Sequence, residues 1–319
     1  MSTVFLYAGQ GSQKVGMGKD FYERYQEYRE FIDSLDKDFH IKNLMHEGPL
    51  EELSKTENTQ ACMAAFAAGV TRLLEKEGIK PDAACGLSLG EYGALYAAGV
   101  YGAKDYVSLT AFRGRVMMEA AKGCECSMSA VLGLESEIVE DICKKYQGKG
   151  YVIPTNYNCP GQVVICGDEE AVVNVEKLLK ENGAKRLVRL NVSGPFHTKY
   201  MKPAGEELRK YFEKMEFKIP SIPVALNVTG DIYNDGDDLK EILVKQVQSG
   251  VRLEDELSLF INKGYNNFVE IGPGNTITGF LKKTARKLDK GINVVSIDTV
   301  EDFEKLLKNK QDYISGGKC

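Results

Sequence analysis

The chain has 319 residues, of which 43% are hydrophobic and 27% charged, and its formal net charge is −5. This length suits one large domain with an insert, or two domains. The small negative charge excludes a strong general attraction to nucleic acid or to an anionic membrane, so an acidic partner would need a local basic patch. No apolar run reaches the length of a membrane span, and the first apolar stretch lacks the basic segment of a signal peptide.

The predicted elements of the first part alternate between short apolar strands and helices. In chain order they are a strand at 4–8, helices at 22–34 and 63–77, a strand at 83–86, and helices at 91–98 and 104–122. Short buried strands separated by helices are typical of a parallel sheet that is covered on both faces.

The middle of the chain has a different order. We predict a strand at 127–134, a helix at 135–147, two strands at 151–158 and 162–166 around a Cys-Pro-Gly turn, a helix at 169–181 and a strand at 185–191. This β-α-β-β-α-β order is that of a ferredoxin-like unit.

The alternating pattern then resumes to the end. Helices are predicted at 200–215, 239–248 and 276–288, with strands at 224–227, 267–271 and 293–297. The sequence therefore predicts an α/β hydrolase-like large domain, formed by 1–125 and 197–319, with a ferredoxin-like small domain inserted at 126–196.

Cysteine and histidine usage limits the chemistry. Eight cysteines occur without any Cys-x-x-Cys pair, which favours thiols in the core of a cytoplasmic protein over a disulfide framework or a metal site. The only histidines are His40, His46 and His197.

A Gly-x-Ser-x-Gly pattern at 86–90 places Ser88 between a predicted strand and a predicted helix. This pattern is that of a nucleophile elbow, in which glycines relieve clashes around a strained serine. The amide of Leu89, at the start of the helix, could donate to an oxyanion. The alternative is an ordinary surface turn, and the strand-to-helix context favours the elbow. Cys85 lies inside the strand and is predicted to be a core thiol rather than the nucleophile.

A serine nucleophile needs a base, and His197 is the best candidate. It follows a Gly-Pro loop at the exit from the predicted insert, whereas His40 and His46 lie in a charged N-terminal region. A lone histidine is more often a structural residue, so this assignment depends on the poor alternatives.

Two further segments are ambiguous when read alone. The glycines at 9 and 11 follow the first strand, but Lys14 stands where a dinucleotide fingerprint needs glycine, and no P-loop sequence follows. We therefore interpret the loop at 9–13 as the source of a second oxyanion amide. Arg113, on the helix at 104–122, cannot be distinguished by its neighbours from a solvated arginine.

Several segments together resemble the malonyl-CoA:acyl carrier protein transacylase family, the bacterial stand-alone acyltransferases of fatty-acid synthesis. They occur in order over nearly the whole chain and lie at 9–13, 56–60, 86–92, 113–114, 156–165, 194–197 and 270–274. The chain departs from the family at Leu87, where histidine is frequent, and at 251–253, where a common tryptophan is missing.

The resemblance implies a ping-pong acyl transfer with malonyl-CoA as substrate, acyl carrier protein as partner and no permanently bound cofactor or metal. It implies that Ser88 carries the acyl group and that the backbone amides of Gln10 and Leu89 hold the oxyanion. It also implies that Arg113 pairs with the malonyl carboxylate. It further implies that His197 is held by a neutral acceptor at Gln246, and that Gln60, Phe196 and Asn156 line the pocket. We also expect a monomer.

Acidic carrier proteins need a basic surface. Candidate residues are Lys185 and Arg186 on the predicted insert, and Lys282, Lys283 and Arg286 on a late helix, although such a stripe is also typical of a solvated helix face. A thioesterase or hydrolase of the α/β class, a polyketide acyltransferase and a non-catalytic carrier-binding module remain alternatives. The hydrolase is disfavoured because a long segment follows His197 and no carboxylate stands out as a triad member.

Overall fold

The computed structural model describes residues 2–190 and 194–313. Its strands, in chain order, are β1 (Thr3–Tyr7), β2 (Ala83–Gly86), β3 (Cys126–Leu132), β4 (Val152–Cys159), β5 (Gln162–Asp168), β6 (Arg186–Leu190), β7 (Ala225–Leu226), β8 (Asp231–Ile232), β9 (Asn267–Ile271) and β10 (Asn293–Ile297).

Helices fill most of the remaining chain. In chain order they are α1 (Lys19–Arg24), α2 (Gln26–Phe39), α3 (Ile41–Glu47), α4 (Leu50–Leu53), α5 (Thr56–Lys76), α6 (Leu89–Ala97), α7 (Ala103–Ala121), α8 (Ser136–Lys145), α9 (Glu169–Glu181), α10 (Lys202–Phe212), α11 (Leu239–Gln246), α12 (Leu253–Asn262), α13 (Thr276–Lys287) and α14 (Val300–Lys308). Among the described residues, no helix is both long and apolar enough to cross a bilayer.

The parallel sheet has the strand order β10-β9-β1-β2. Strand β1, inside this sheet, is buried along its whole length, and its side chains alternate between two cores. Phe5 and Tyr7 pack in the core that contains the α5 helix, whereas Val4 and Leu6 pack in the core that contains α12 and α13. A strand buried on both faces explains the continuous apolar run in the sequence.

The smaller sheet is antiparallel, with the order β4-β5-β3-β6. Helices α8 and α9 cover one face through an apolar cluster that includes Val139 and Val175. The opposite face carries Met128, Ala130 and Val164. The prediction of an α/β fold with a parallel sheet, its helices and a ferredoxin-like antiparallel unit is confirmed. The domain boundaries at 126 and 196 stay predictions, and Asn191, the last residue of the strand predicted at 185–191, lies outside the described residues.

Some predicted elements differ from the observed ones. The helix predicted at 22–34 is two helices, because Tyr25 between α1 and α2 has an extended backbone (φ −113°, ψ 115°). Helix α5 begins at Thr56, earlier than the predicted residue 63. Helices α3, α4, α12 and α14 were not predicted, although Thr299 and Asp302 form a capping box at the start of α14 that is readable from the sequence.

Candidate active site

The elbow at 86–90 joins β2 to α6 and holds Ser88 in a strained conformation. Ser88 has φ 53° and ψ −95°, a region that non-glycine residues rarely adopt. A Cβ atom on Gly86 would collide with the backbone of Gly90, and one on Gly90 would collide with the carbonyl group of Tyr7. The two glycines therefore let the turn pack against β1 while Ser88 projects its hydroxyl.

Two amide side chains hold the backbone of this turn. Asn227 accepts a hydrogen bond from the Ser88 amide at Oδ1 (2.9 Å) and donates through Nδ2 to the Gly86 carbonyl (2.8 Å). Gln246 donates through Nε2 to the Ser88 carbonyl (2.7 Å). These bonds offset the strain of the elbow, which is worth about 1–3 kcal/mol for a residue in a sparsely populated region.

The candidate nucleophile and the candidate base are in direct contact. Ser88 Oγ lies 2.7 Å from His197 Nε2. Nδ1 of His197 lies 2.8 Å from the carbonyl oxygen of Gln246 and 3.1 Å from that of Ser249. Because carbonyl oxygens only accept, Nδ1 carries the proton, and the bare Nε2 is free to accept the serine proton.

His197 is uncharged at neutral pH. Burial, followed by the positive charge of Arg113, lowers its pKa from 6.5 to about 4, although the two carbonyl groups oppose this shift. Gln246, at which the sequence analysis expected a neutral acceptor, contacts His197 through its backbone carbonyl, while its side chain contacts the elbow. Ser249 supplies a second carbonyl that the sequence analysis missed.

Arg113, on α7, is buried rather than solvated, with 1% of its surface exposed. Its NH1 donates to Gln60 Oε1 (2.8 Å), and its NH2 donates to Ser88 Oγ (3.1 Å) and to Gln246 Oε1 (3.0 Å). The guanidinium carbon also lies 5.0 Å from the centre of the Tyr92 ring. No ion pair among the described residues includes Arg113, so a buried cation faces the Ser88 hydroxyl without a carboxylate partner.

These groups open into a cleft of about 390 Å³ between the two sheets. Its floor is formed by Ser88, Arg113 and His197, and the predicted pocket residues Phe196 and Asn156 line its walls. The remaining lining residues are Gln10, Gly11, Ser12, Leu87, Met117, Met128, Ala130, Asn158, Gln162, Val164, Leu190, Thr276 and Phe280. Gln60 lies behind the cleft, bonded to Arg113.

The two backbone amides proposed to bind an oxyanion donate no hydrogen bond to other described residues. Gln10 follows β1 and Leu89 follows β2, and these neighbouring parallel strands end at the same edge of the sheet. Within the described residues, neither amide makes a hydrogen bond. Two free amides at the same sheet edge as a serine hydroxyl suit the stabilisation of a tetrahedral oxyanion.

Comparison with known proteins gives the family. The acyl transferase domain model matches residues 4–313. The chain belongs to the acyl transferase family.

Relatives of this acyl transferase match it over almost their whole length. A malonyl CoA-acyl carrier protein transacylase of Bacillus subtilis is 40% identical over 312 residues, covering 97% of this chain and 98% of the relative. The crystal structure of a malonyl CoA-acyl carrier protein transacylase from Clostridium perfringens has a TM-score of 0.92 and 34% identity, with 98% of each chain covered. A malonyl-transacylase in complex with a type II PKS acyl-carrier protein has a TM-score of 0.91 and 32% identity, covering 97% of this chain and 100% of that one.

The basic residues that the sequence suggested for carrier docking lie on separate parts of the surface of the acyl transferase. Lys185 and Arg186 are exposed at the start of β6, and Lys283 Nζ lies 3.3 Å from Gln162 Oε1 on the antiparallel sheet. Its neighbour Lys282 instead lines a groove beside β10 and α14, and Arg286 is exposed on the same helix. The structure therefore brings Lys283 towards the insert and directs Lys282 away from it.

Sequence analysis missed a buried polar layer beneath the acyl transferase elbow. Asn227, Glu91 and Glu256 are fully buried there. Asn227 donates from its backbone to Glu91 Oε2 (3.1 Å) and from Nδ2 to Glu256 Oε1 (2.7 Å). One signal was available in the sequence, because Asn227 is a polar residue at the end of the predicted strand 224–227. The structure places this segment beside β2, where Val224 forms a parallel bridge to Ala84.

Burial controls the charge of this layer. It raises the pKa of Glu91 to about 7, with hydrogen bonds from Asn227 and Gln246 and the charge of Arg113 opposing the shift. Burial and the neighbouring Glu91 raise the pKa of Glu256 well above its usual value. Burial likewise raises the pKa of Cys85, so its thiol is neutral and, at 0% exposure, inaccessible.

Proposed function

We propose that this protein moves a malonyl group from malonyl-CoA to the phosphopantetheine thiol of an acyl carrier protein, through an acyl-Ser88 intermediate, for fatty-acid synthesis. The observation that carries the proposal is the buried guanidinium of Arg113, which lies 3.1 Å from the nucleophilic oxygen and has no acidic partner at ion-pair distance among the described residues. Malonyl bears a free carboxylate close to its thioester, and Arg113 offers a planar fork that such a carboxylate can meet at two points.

In the first half-reaction, Ser88 Oγ attacks the thioester carbonyl carbon while His197 Nε2 takes the serine proton. The amides of Gln10 and Leu89 donate to the developing oxyanion. The tetrahedral intermediate collapses, the C–S bond breaks, and His197 gives its proton to the sulfur, so that coenzyme A leaves as a thiol.

The second half-reaction runs the same steps with the carrier thiol. His197 takes the thiol proton, the sulfur attacks the ester carbonyl, and the proton returns to Ser88 as the C–O bond breaks. The carbonyl groups of Gln246 and Ser249 keep the imidazole in one tautomer throughout. Gln60 orients Arg113, and Phe196 and Asn156 shape the pocket. The monomeric state and cytoplasmic location stay predictions from the sequence.

Intact-mass analysis with malonyl-CoA tests the function. We expect wild-type protein to gain one malonyl mass and to lose it when a carrier protein with its phosphopantetheine arm is added, with the mass appearing on the carrier. Rapid release of free malonate, with little transfer, would instead support the thioesterase alternative. Absence of any adduct would support a non-catalytic carrier-binding module, and the carriers accepted would separate fatty-acid from polyketide roles.

A further inference from the structure

Hydrogen bonds through one amide side chain, that of Gln246, link Arg113 to the buried carboxyl group of Glu91. Its NH2 donates to Gln246 Oε1 at 3.0 Å, and Gln246 Nε2 donates to Glu91 Oε2 at 3.1 Å. The guanidinium therefore has no acid in direct contact, but Glu91 lies at the far end of the Gln246 side chain. In a fully buried site, opposite charges separated by one polarised amide still attract each other strongly.

Glu91 has few other charged neighbours. Glu256 of α12 faces it across Asn227, and burial, followed by the charge of Glu91, raises the pKa of the Glu256 carboxyl well above its usual value, which favours its neutral form. Cys85 of β2 and the tyrosines Tyr92 and Tyr101 also lie near Glu91, and their thiol and phenol groups are held neutral by burial.

Arg113 is thus the positive charge that acts on Glu91. Glu91 Oε1, in addition, is buried and has no hydrogen-bond partner among the described residues. A carboxyl oxygen left without a donor is costly when charged, so this carboxyl is poised to take a proton.

We propose that Glu91 is the resting counter-ion of Arg113 and that the malonyl carboxylate replaces it, so that loading of the malonyl group is coupled to proton uptake by Glu91. This inference rests on the proposed function, because it needs a substrate with a free carboxylate at Arg113. Glu91 touches neither Ser88 Oγ nor the cleft, and it is therefore a positioning residue that acts through Gln246.

The direction of the coupling follows from the charges. In the free site, Arg113 favours ionised Glu91. When a malonyl carboxylate pairs with Arg113, that attraction is neutralised and a second negative charge lies near, so the pKa of Glu91 rises further. Starting from a pKa of about 7, a site that is partly ionised at neutral pH becomes protonated. The acyl transfer is otherwise proton-neutral, because the Ser88 proton leaves on the coenzyme A thiol.

The first experiment counts protons on the wild-type protein. Protein in weak buffer with a pH indicator is mixed with malonyl-CoA near neutral pH, and the absorbance change is divided by the acyl-enzyme measured by intact mass. We expect uptake of roughly half a proton per acyl-enzyme formed. Malonylation without proton uptake would overturn this inference and leave the proposed function intact, whereas absence of malonylation would count against the function itself.

The second experiment uses Glu91→Gln, which resembles the protonated carboxyl and keeps an oxygen to accept from Asn227 and Gln246. In wild-type protein, the malonyl-CoA concentration that half-saturates acylation should rise several-fold from about pH 6 to about pH 8, as ionised Glu91 competes for Arg113. In Glu91→Gln this rise should be lost, as should the proton uptake. A wild-type slope that persists in the variant would overturn the inference.

A matched control is Glu75→Gln. Glu75 is a carboxyl on α5 whose pKa is also raised by burial, and it lines a separate groove with Lys80 and Ser221. This variant should keep both the wild-type slope and the proton uptake, and loss of either would count against Glu91 as the specific group. The proton count on wild-type protein decides the question even where Glu91→Gln does not fold.

Discussion

At the scale of single residues, two side chains of different charge contact the hydroxyl oxygen of Ser88. Arg113 donates a hydrogen bond to Oγ, and His197 presents a bare nitrogen to which the serine proton is directed. An uncharged imidazole can accept the serine proton, whereas the guanidinium is the group proposed to pair with the malonyl carboxylate. The contact with His197 can therefore activate the alcohol without a carboxylate behind the histidine.

Single replacements should show whether the Ser88 hydroxyl or the neighbouring Cys85 thiol is the group that becomes acylated. Ser88→Ala removes the elbow hydroxyl that lines the cleft and should abolish covalent malonylation, whereas Cys85→Ala should still be malonylated, at a stability cost of about 1 kcal/mol for the small cavity. Intact mass and peptide mapping after malonyl-CoA measure both. An acyl adduct mapped to Cys85 would contradict the assignment.

Arg113→Ala should change which acyl group is accepted. The malonyl carboxylate would be buried without a partner, which costs about 3–5 kcal/mol, so malonyl transfer should fall by roughly 100-fold or more. Acetyl-CoA has no such carboxylate, and its transfer should increase relative to that of wild-type protein. Transfer rates with both thioesters measure the change, and an equal loss of both would mean that Arg113 is only structural.

Because the pKa of His197 is low, we expect the reactivity of Ser88 to be lost only at a pH below the usual histidine range. With a pKa of about 4 in place of 6.5, the base stays neutral in mildly acidic solution. The rate at which an uncharged sulfonyl fluoride modifies Ser88 should therefore fall with a midpoint nearer 4 than 6.5. A midpoint near 6.5, with the circular dichroism unchanged, would contradict the prediction.

The same shift has a consequence for stability. Between about pH 6.5 and about pH 4, the unfolded chain binds a proton at this histidine that the folded chain does not. The His197 contribution to stability is thus present above pH 6.5 and is lost as the pH falls through this window.

At the scale of elements, the elbow depends on how closely α6 approaches β1. Gly90, in the first turn of α6, lies against the carbonyl group of Tyr7, and Asn227 ties the turn to the chain that follows β7. Local sequence supplies the glycines, but the carbonyl they must avoid lies on a strand about eighty residues earlier in the chain. The strained serine is therefore maintained by packing between elements.

Two glycine-to-alanine substitutions compare the close contact between α6 and β1 with a helix position that has free space around it. Gly90→Ala should destabilise the protein by about 3 kcal/mol or more, because the new Cβ meets backbone that cannot move. Gly279→Ala, at a position of α13 where a Cβ meets nothing within 4 Å, should stabilise it by about 0.5–1 kcal/mol. Urea unfolding of both variants measures the difference, and similar values for the two would argue against close packing at the elbow.

At the scale of the whole molecule, the cleft exists only because the two sheets face each other. The parallel sheet supplies the chemistry at the ends of β1 and β2, and the antiparallel sheet turns Met128, Ala130 and Val164 towards it. Lys283 contacts Gln162 across this junction, and Arg186 lies at the start of β6. A carrier that delivers its arm into the cleft would meet the rim formed by both sheets.

Charge reversal at this rim tests the docking hypothesis. Arg186→Glu combined with Lys283→Glu should raise the KM for an acidic carrier protein by about 10-fold, while malonylation of Ser88 by malonyl-CoA stays unchanged. Lys177→Glu is the matched control, because it lies exposed on α9, which covers the face of the antiparallel sheet away from the cleft. An unchanged KM in the double variant, or an equal rise in the control, would remove the hypothesis.

The sequence by itself determined the α/β fold, its division into a parallel and an antiparallel unit, and the elbow around Ser88, because apolar periodicity and glycine spacing are local properties. It also pointed to His197, since few histidines compete for the role. Only the tertiary structure decided that Arg113 is buried, that Gln246 contacts the base through its carbonyl group, and that Asn227 and Glu91 lie beneath the nucleophile. Those facts depend on contacts between residues 49 to 139 positions apart, and burial, which sets the charges of the site, is a property of the packed molecule.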